Sequence, residues 1–236
     1  MSDSKTLSNA SVIRTTITLP STLSCLIFDW DGTLVDSSRS VILAHQHALE
    51  ALKLPHASAD ALHGLLGHDK DQVCAALTKN SDVTPDAYYQ RFNYYYHVFC
   101  DQIKLFSDSL AILTLAKKYG LKLALATNKT SEIVHAELEK TGVSDCFDYM
   151  AFANLSVAKP DPTMLNNSIA CFGLSPDQCL MIGDQRADID AARAACVKSI
   201  TLVDMHTPSW ATCYYEMTTF CRHSVFLQAL RAIDPT

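Results

Sequence analysis

The stretch LIFDWDGTLVDS, residues 26–37, decides the reading of this chain. An apolar run suited to a strand ends on Asp29-Trp30-Asp31 and turns at Gly32-Thr33. Packing gives a strand no reason to finish on two carboxylates, which are rarely buried unless paired, protonated or bound to a metal. Either the strand runs into solvent there or the pair carries chemistry. Four to eight apolar residues bounded by a turn signal suit a central parallel strand covered on both faces.

Downstream, from Ser37 to about Leu105, the pattern turns helical. Val41, Ile42, His45, Ala48, Leu49 and Leu52 recur at helical spacing, and Pro55 follows the stop. Two more helical stretches are expected near 59–79 and 85–105, the second carrying Tyr88, Tyr89, Tyr94, Tyr95 and Tyr96 as packing surface. Alternating units follow: a helix over 109–119, the strand LKLALAT, a helix over 131–141 and the strand DYMAFA. Asp161 and Pro162 then open a helix as N-cap and first residue, and Gly173 ends it. The strand QCLMIG, a helix over about 187–195 and the strand KSITLV complete the series.

Such alternation implies an α/β fold, a doubly wound parallel sheet with a Rossmann-like core and an inserted all-helical cap domain. The expected organisation is a polar tail or edge strand over 1–20, the core over 21–36 and 106–236, and the helical cap over 37–105. Upstream, VIRTTITL is the candidate edge strand. Tyr214, Tyr215, Phe220 and Phe226 suggest that 204–236 packs as a closing segment.

Composition narrows the function. At 236 residues with 48% hydrophobic and 19% charged residues, the chain can bury a substantial core and is not disordered by composition. A net charge of −6 without a Lys/Arg block argues against nucleic acid as partner. No apolar stretch reaches the ~18 residues of a membrane span, and the polar start MSDSKTLSNAS lacks signal-peptide character, so a cytoplasmic location and no membrane partner are expected. Nine scattered cysteines without a CxxC pair read as reduced, buried, small apolar residues. His45 and His47 cannot share a helical face at a spacing of two.

In open α/β sheets the active site lies at the carboxyl ends of the strands. There the proposed strands deliver Asp29 and Asp31, then Thr127-Asn128-Lys129, then Gly183-Asp184, with Lys159 and Asp188 in adjoining loops or turns. Asp29, Asp31, Asp184 and Asp188 would repel one another unless a cation sits among them or some take a proton. Lys159 and a divalent metal would compensate them. Hard oxygen ligands favour Mg²⁺, which prefers one or two carboxylates, waters and a substrate phosphate oxygen. Each piece has a plainer reading alone: Thr127-Asn128 as an N-cap, Lys159 as a loop lysine, Asp188 as a first-turn helix acid. Their joint order changes that balance.

DWDGT, ATNKT, AKPDP and IGDQRADIDAAR, in this order, resemble the four motifs of the haloacid dehalogenase superfamily. Residues 24 to about 203 resemble its phosphoglycolate phosphatase-like branch, in which a helical cap lies between the first two motifs. The resemblance implies Asp29 as nucleophile, forming an aspartyl phosphate, and Asp31 as general acid and then base. It implies Thr127, Asn128 and Lys159 as the phosphoryl holders. Asp29, Asp184, Asp188 and the Asp31 main-chain carbonyl would anchor Mg²⁺. Gly67, His68, Asp69 and Lys70 stand where relatives place a substrate-contacting loop, and read equally well as an exposed helix connection. FSDS at 106–109 and Cys196 depart from the family, which often has a Pro-Gly turn and a helix-ending Gly there.

The expected partner is a small phosphorylated metabolite, phosphoglycolate by resemblance; the sequence specifies no oligomeric state. A sugar phosphomutase of the same superfamily is the alternative within chemistry, weakened because GLLGHDKDQ at 64–72 carries no Arg. A catalytically silent phosphate-binding or signalling module is the alternative of a different class. Receiver domains also gather aspartates, a Thr and a Lys, but are about half this length and have no cap.

Overall fold

The computed structural model describes residues 13–65, 70–203 and 218–233. Close packing divides the chain into two compact units, Met1–Val35 with Leu105–Thr236, and Asp36–Lys104.

The first unit is built on β1 (Cys25–Phe28), at the interior of a six-stranded parallel sheet. Its other strands are β4 (Lys122–Thr127), β5 (Tyr149–Phe152), β6 (Cys179–Gly183), β7 (Lys198–Leu202) and β8 (Thr219–Cys221), and the order across the sheet is β5-β4-β1-β6-β7-β8. β1 pairs in parallel with β4 on one side and β6 on the other, Phe28 lying between Leu125 and Ile182.

Alternation along β1 explains why every residue of it is apolar. Leu26 and Phe28 point to a face shared with Ile112, Leu113, Val134, Leu138, Phe226 and Leu230 of α5 (Ser109–Lys118), α6 (Ser131–Thr141) and α9 (His223–Arg231). Cys25 and Ile27 point to the opposite face, against Met164, Leu165, Ala191 and Ala192 of α7 (Thr163–Phe172) and α8 (Arg186–Ala194). Each fully buried Leu, Ile or Phe contributes ~1.5–3 kcal/mol, and only a sheet covered on both sides collects it from consecutive residues. The doubly wound reading follows from this two-sided burial.

The second unit contains α1 (Ser38–Ala51), α2 (Ala59–His63), α3 (Lys70–Leu77) and α4 (Pro85–Phe99). Ala48 and Leu49 of α1 pack with Cys74 and Tyr88. His45 Nδ1 lies 2.6 Å from the Tyr88 hydroxyl, while His47 makes tilted ring contacts with Tyr95 and Phe99, so the two histidines face different ways. Tyr88 and Tyr96 are buried, whereas Tyr94 is exposed. The chain leaves the first unit through β2 (Val35–Asp36) and returns through β3 (Lys104–Leu105), which pair as a two-stranded ribbon.

Several local expectations are corrected. VIRTTITL makes no strand in its described part; Arg14 alone bridges to Cys221, its N–H donating to Phe220 O at 2.7 Å. The helix expected over 59–79 is two helices, and the one expected to reach 105 stops at Phe99, where a 3₁₀ turn (Cys100–Gln102) leads into β3. α7 begins one residue later than expected, at Thr163, with Asp161 Oδ1 accepting from the Thr163 N–H at 2.9 Å. Cys25, Cys74, Cys179 and Cys221 are buried free thiols, but Cys171 and Cys196 are exposed. Tyr214 and Tyr215 lie outside the described residues; Phe220 and Phe226 are buried. Among the described residues no helix is long and apolar enough to cross a membrane.

Candidate active site

The site forms where β1, β4 and β6 end. Asp29 extends the ladder by one bond, its N–H donating to Ile182 O at 2.8 Å. The chain then turns: the Leu34 and Val35 N–H groups donate to Trp30 O at 2.9 and 3.1 Å, and Gly32 takes a φ of +75° that other residues rarely adopt. A Cβ on Gly32 would overlap the Asp184 carboxylate, so glycine also makes room for that acid. Thr33 Oγ1 donates to Asp184 Oδ1 at 3.2 Å.

β4 delivers Thr127, which is buried, and then Asn128. The Asn128 side chain is engaged at both ends by the Lys159 backbone: Oδ1 accepts from its N–H and Nδ2 donates to its carbonyl, each at 2.8 Å. Its amide therefore braces the loop that carries Lys159. Lys159, 5% exposed, donates Nζ to Asp29 Oδ1 at 2.8 Å and to Asp188 Oδ1 at 2.6 Å.

β6 ends at Gly183 and hands over to α8. Asp188 caps that helix, its Oδ2 accepting from the Asp184 and Gln185 N–H groups at 3.2 and 3.0 Å. A carboxylate in a first turn is favoured by the helix dipole. Gln185 Nε2 donates to Asp184 Oδ2 at 2.7 Å. Asp29, Asp31, Thr127, Asn128, Lys159 and Asp188 all line one cavity of about 240 Å³, together with Lys129, Gln185 and Ala187.

The electrostatics follow from burial. Removal from water, opposed by the Lys159 charge and reinforced by Asp188, pushes the Asp29 pKa up to about 7. Burial, with Asp29 and Asp188 as like-charged neighbours, holds Asp184 well above the usual carboxylate range. Burial disfavours the Lys159 charge, but Asp188 and Asp29 outweigh it and raise its pKa. Positive charge is thus short around these acids.

One carboxylate oxygen each from Asp29, Asp184 and Asp188 lies within 4.8 Å of the others. The donor set is hard oxygen, and burial, reinforced by like-charged neighbours, raises Asp29 and Asp184, so these residues fit a divalent cation such as Mg²⁺. The Asp31 carboxylate is outside this group, its Oδ1 accepting from Lys129 Nζ at 2.7 Å. Gly67, His68 and Asp69 lie outside the described residues, as does the Lys70 side chain.

Two further residues, Lys129 and Glu137, join the site without a role in the sequence pattern. Lys129 Nζ also donates to the two Glu137 carboxylate oxygens at 2.8 and 2.9 Å, and Trp30 Nε1 donates to Glu137 Oε2 at 2.6 Å. Burial, against the opposing Lys129 charge, raises the Glu137 pKa. The available signal was an acid on the apolar stripe of α6, beside Ile133, Val134 and Leu138.

Known proteins resemble this chain in sequence and fold. The chain is 29% identical over 204 residues to a phosphoglycolate phosphatase of Colwellia psychrerythraea, covering 78% of this chain and 90% of that protein. It is 32% identical over 184 residues to a phosphoglycolate phosphatase of Haemophilus influenzae, covering 71% and 80% respectively. The crystal structure of a predicted phosphoglycolate phosphatase from Haemophilus somnus superposes with a TM-score of 0.77 at 25% identity, covering 89% of this chain and 97% of that one. The family pattern described as haloacid dehalogenase-like hydrolase matches residues 26–202, and the chain is an enzyme of that family.

Proposed function

We propose that this enzyme hydrolyses a small phosphate monoester through an aspartyl-phosphate intermediate on Asp29, with phosphoglycolate the leading substrate and Mg²⁺ the metal. The observation that carries this reading is the pairing of Asp29 with Lys159 at 2.8 Å in the cavity that Asp31 also lines. The relatives named phosphoglycolate phosphatase, at 29% and 32% identity, support the substrate.

Asp29 attacks phosphorus and displaces the alcohol, which takes a proton from Asp31; Asp31 then takes a proton from the water that releases phosphate. Lys159, placed by the Asn128 amide, holds Asp29 in position and faces the transferring oxygens with its charge. Thr127 adds a hydroxyl at the β4 end. Asp29, Asp184 and Asp188, with the Asp31 carbonyl, would hold Mg²⁺, which would neutralise charge developing on the phosphoryl oxygens. The helical segment 37–105 is proposed as a cap that keeps bulk water out during turnover.

Hydrolysis is preferred to phosphomutase chemistry because residues 64–72 offer no Arg for a second phosphate. The test is phosphate release from phosphoglycolate, sugar phosphates and nucleoside monophosphates, with and without Mg²⁺, beside Asp29→Asn. Mg²⁺-dependent release that vanishes in the variant is expected. Release unaffected by the substitution would remove Asp29 as nucleophile.

A further inference from the structure

Asp31 has two charged neighbours that the mechanism above leaves unused. Lys129 Nζ donates to Asp31 Oδ1 at 2.7 Å and to Glu137 Oε1 and Oε2 at 2.8 and 2.9 Å. Glu137, 1% exposed, also accepts from Trp30 Nε1 at 2.6 Å. Trp30 is wholly buried and stands between the two aspartates. A path of hydrogen bonds thus leaves the Asp29-Trp30-Asp31 loop through Trp30, crosses Glu137 and Lys129, and returns to the same loop at Asp31. The loop is gripped from both sides.

Stability alone does not call for this arrangement. A buried ion pair is a weak source of stability beside apolar residues of similar volume, and its best-attested use is to fix one geometry. Glu137 occupies a position on α6 flanked by Ile133, Val134 and Leu138, where an aliphatic residue would pack without needing partners. What the acid does there is accept from the Trp30 indole and hold Lys129.

We propose that Lys129, held by Glu137, is the positioning residue for the Asp31 carboxyl; this rests on the reading of Asp31 as proton donor. An ammonium only donates, so the oxygen it grips, Oδ1, must accept. The proton that Asp31 delivers therefore rides on Oδ2, and the carboxyl cannot exchange its two oxygens without breaking the 2.7 Å bond. In the first step an Asp29 oxygen bonds to phosphorus as the bond to the alcohol oxygen breaks. That oxygen takes the electron pair, and the Oδ2 proton moves to it. In the second step a water oxygen bonds to phosphorus, the bond to Asp29 breaks, and the water proton returns to Oδ2. Lys129 keeps its protons throughout.

The test compares two leaving groups in one protein sample. An alkyl monoester turned over in the panel above needs a proton on its leaving oxygen, whereas 2,4-dinitrophenyl phosphate does not. The quantity read is kcat/KM for leaving-group release, alkyl relative to aryl. A misfolded fraction lowers both substrates equally and cancels.

Asp31→Asn should lower this ratio by about 100-fold or more, the lower range of acid-base contributions. Lys129→Met should lower it by about tenfold, Glu137→Gln should move it in the same direction, and Lys129→Arg, which keeps a charged donor, should hold it within about threefold of wild type. If Asp31→Asn lowers the ratio and Lys129→Met leaves it unchanged, the positioning role is refuted while the acid stands. If Asp31→Asn depresses both substrates equally, the acid reading falls, and this proposal with it.

Discussion

Replacing Lys159 by Met keeps a buried aliphatic stem and removes only the ammonium. That ammonium makes charged hydrogen bonds to Asp29 and Asp188 at 2.8 and 2.6 Å, from a side chain 2% exposed. Charged hydrogen bonds contribute ~1.5–3 kcal/mol each, and deleting one partner of a buried pair costs ~3–5 kcal/mol. The figure for deleting one partner governs, because the two bonds are lost together and the orphaned acids relieve part of the penalty by taking up protons. In EDTA at about pH 8, Lys159→Met should lose about 3–5 kcal/mol, a fall in Tm of roughly 6–20 °C for a chain of this size.

The sign of the pH dependence is fixed by the same groups. Asp29 is already raised from 3.8 to about 7 with Lys159 opposing the rise, so removing Lys159 moves it further up. A folded-state pKa above the unfolded value gives stability that is present at low pH and lost as pH rises through the folded value. The deficit of the variant should therefore shrink as pH is lowered toward about 5. Mg²⁺ at 100 times Kd should raise the variant's own stability by about 2.7 kcal/mol over its value in EDTA. Thermal melts followed by near-UV circular dichroism, in EDTA and in Mg²⁺ at both pH values, supply the comparison. A variant within about 1 kcal/mol of wild type in EDTA at pH 8 would refute the claim that these acids depend on Lys159.

Other perturbations test separate parts of the structure. Thr33→Val removes the hydroxyl that orients Asp184 while keeping its volume, and should raise the Mg²⁺ concentration for half-maximal activity by about 10- to 100-fold; an unchanged Mg²⁺ titration would contradict the role of Thr33. Cys196 has a φ of +57°, so Cys196→Gly should stabilise the protein by about 1 kcal/mol in urea unfolding, and destabilisation would contradict it. His45 is pushed down by burial from 6.5 to about 4. The unfolded chain therefore binds its proton first as pH falls through that window. Between about pH 7 and about pH 4, wild type should lose about 3 kcal/mol more than His45→Gln, by urea unfolding; parallel losses would refute the assignment.

What the sequence made legible was the part written in neighbouring residues. CLIF announced a strand buried on both faces because alternate residues serve different layers, and the acids at strand ends marked the candidate site, where the structure gathers Asp29, Asp184 and Asp188. Less legible was what depends on partners far along the chain. Glu137 looks like an ordinary helix acid until Trp30 and Lys129 reach it. Asn128 reads as a phosphate ligand or an N-cap, and only the structure shows its amide occupied by the Lys159 backbone. The break between α2 and α3 escaped the periodicity because helical spacing persists on both sides of it. Cys196 ends α8 in a left-handed conformation although no glycine marks the stop, so the chain accepts strain there.

The placement of β1 bears on how this enzyme fails. With β4 on one side, β6 on the other and helices over both faces, β1 should exchange its backbone amides only through global opening. The proposed nucleophile is the next residue, its amide hydrogen-bonded into the same ladder. Such a catalyst has no gradual decline available to it: each molecule either holds its nucleophile in register or has lost its sheet. A partly denatured preparation should therefore behave as a mixture of fully competent and fully inactive molecules, with KM constant while Vmax falls.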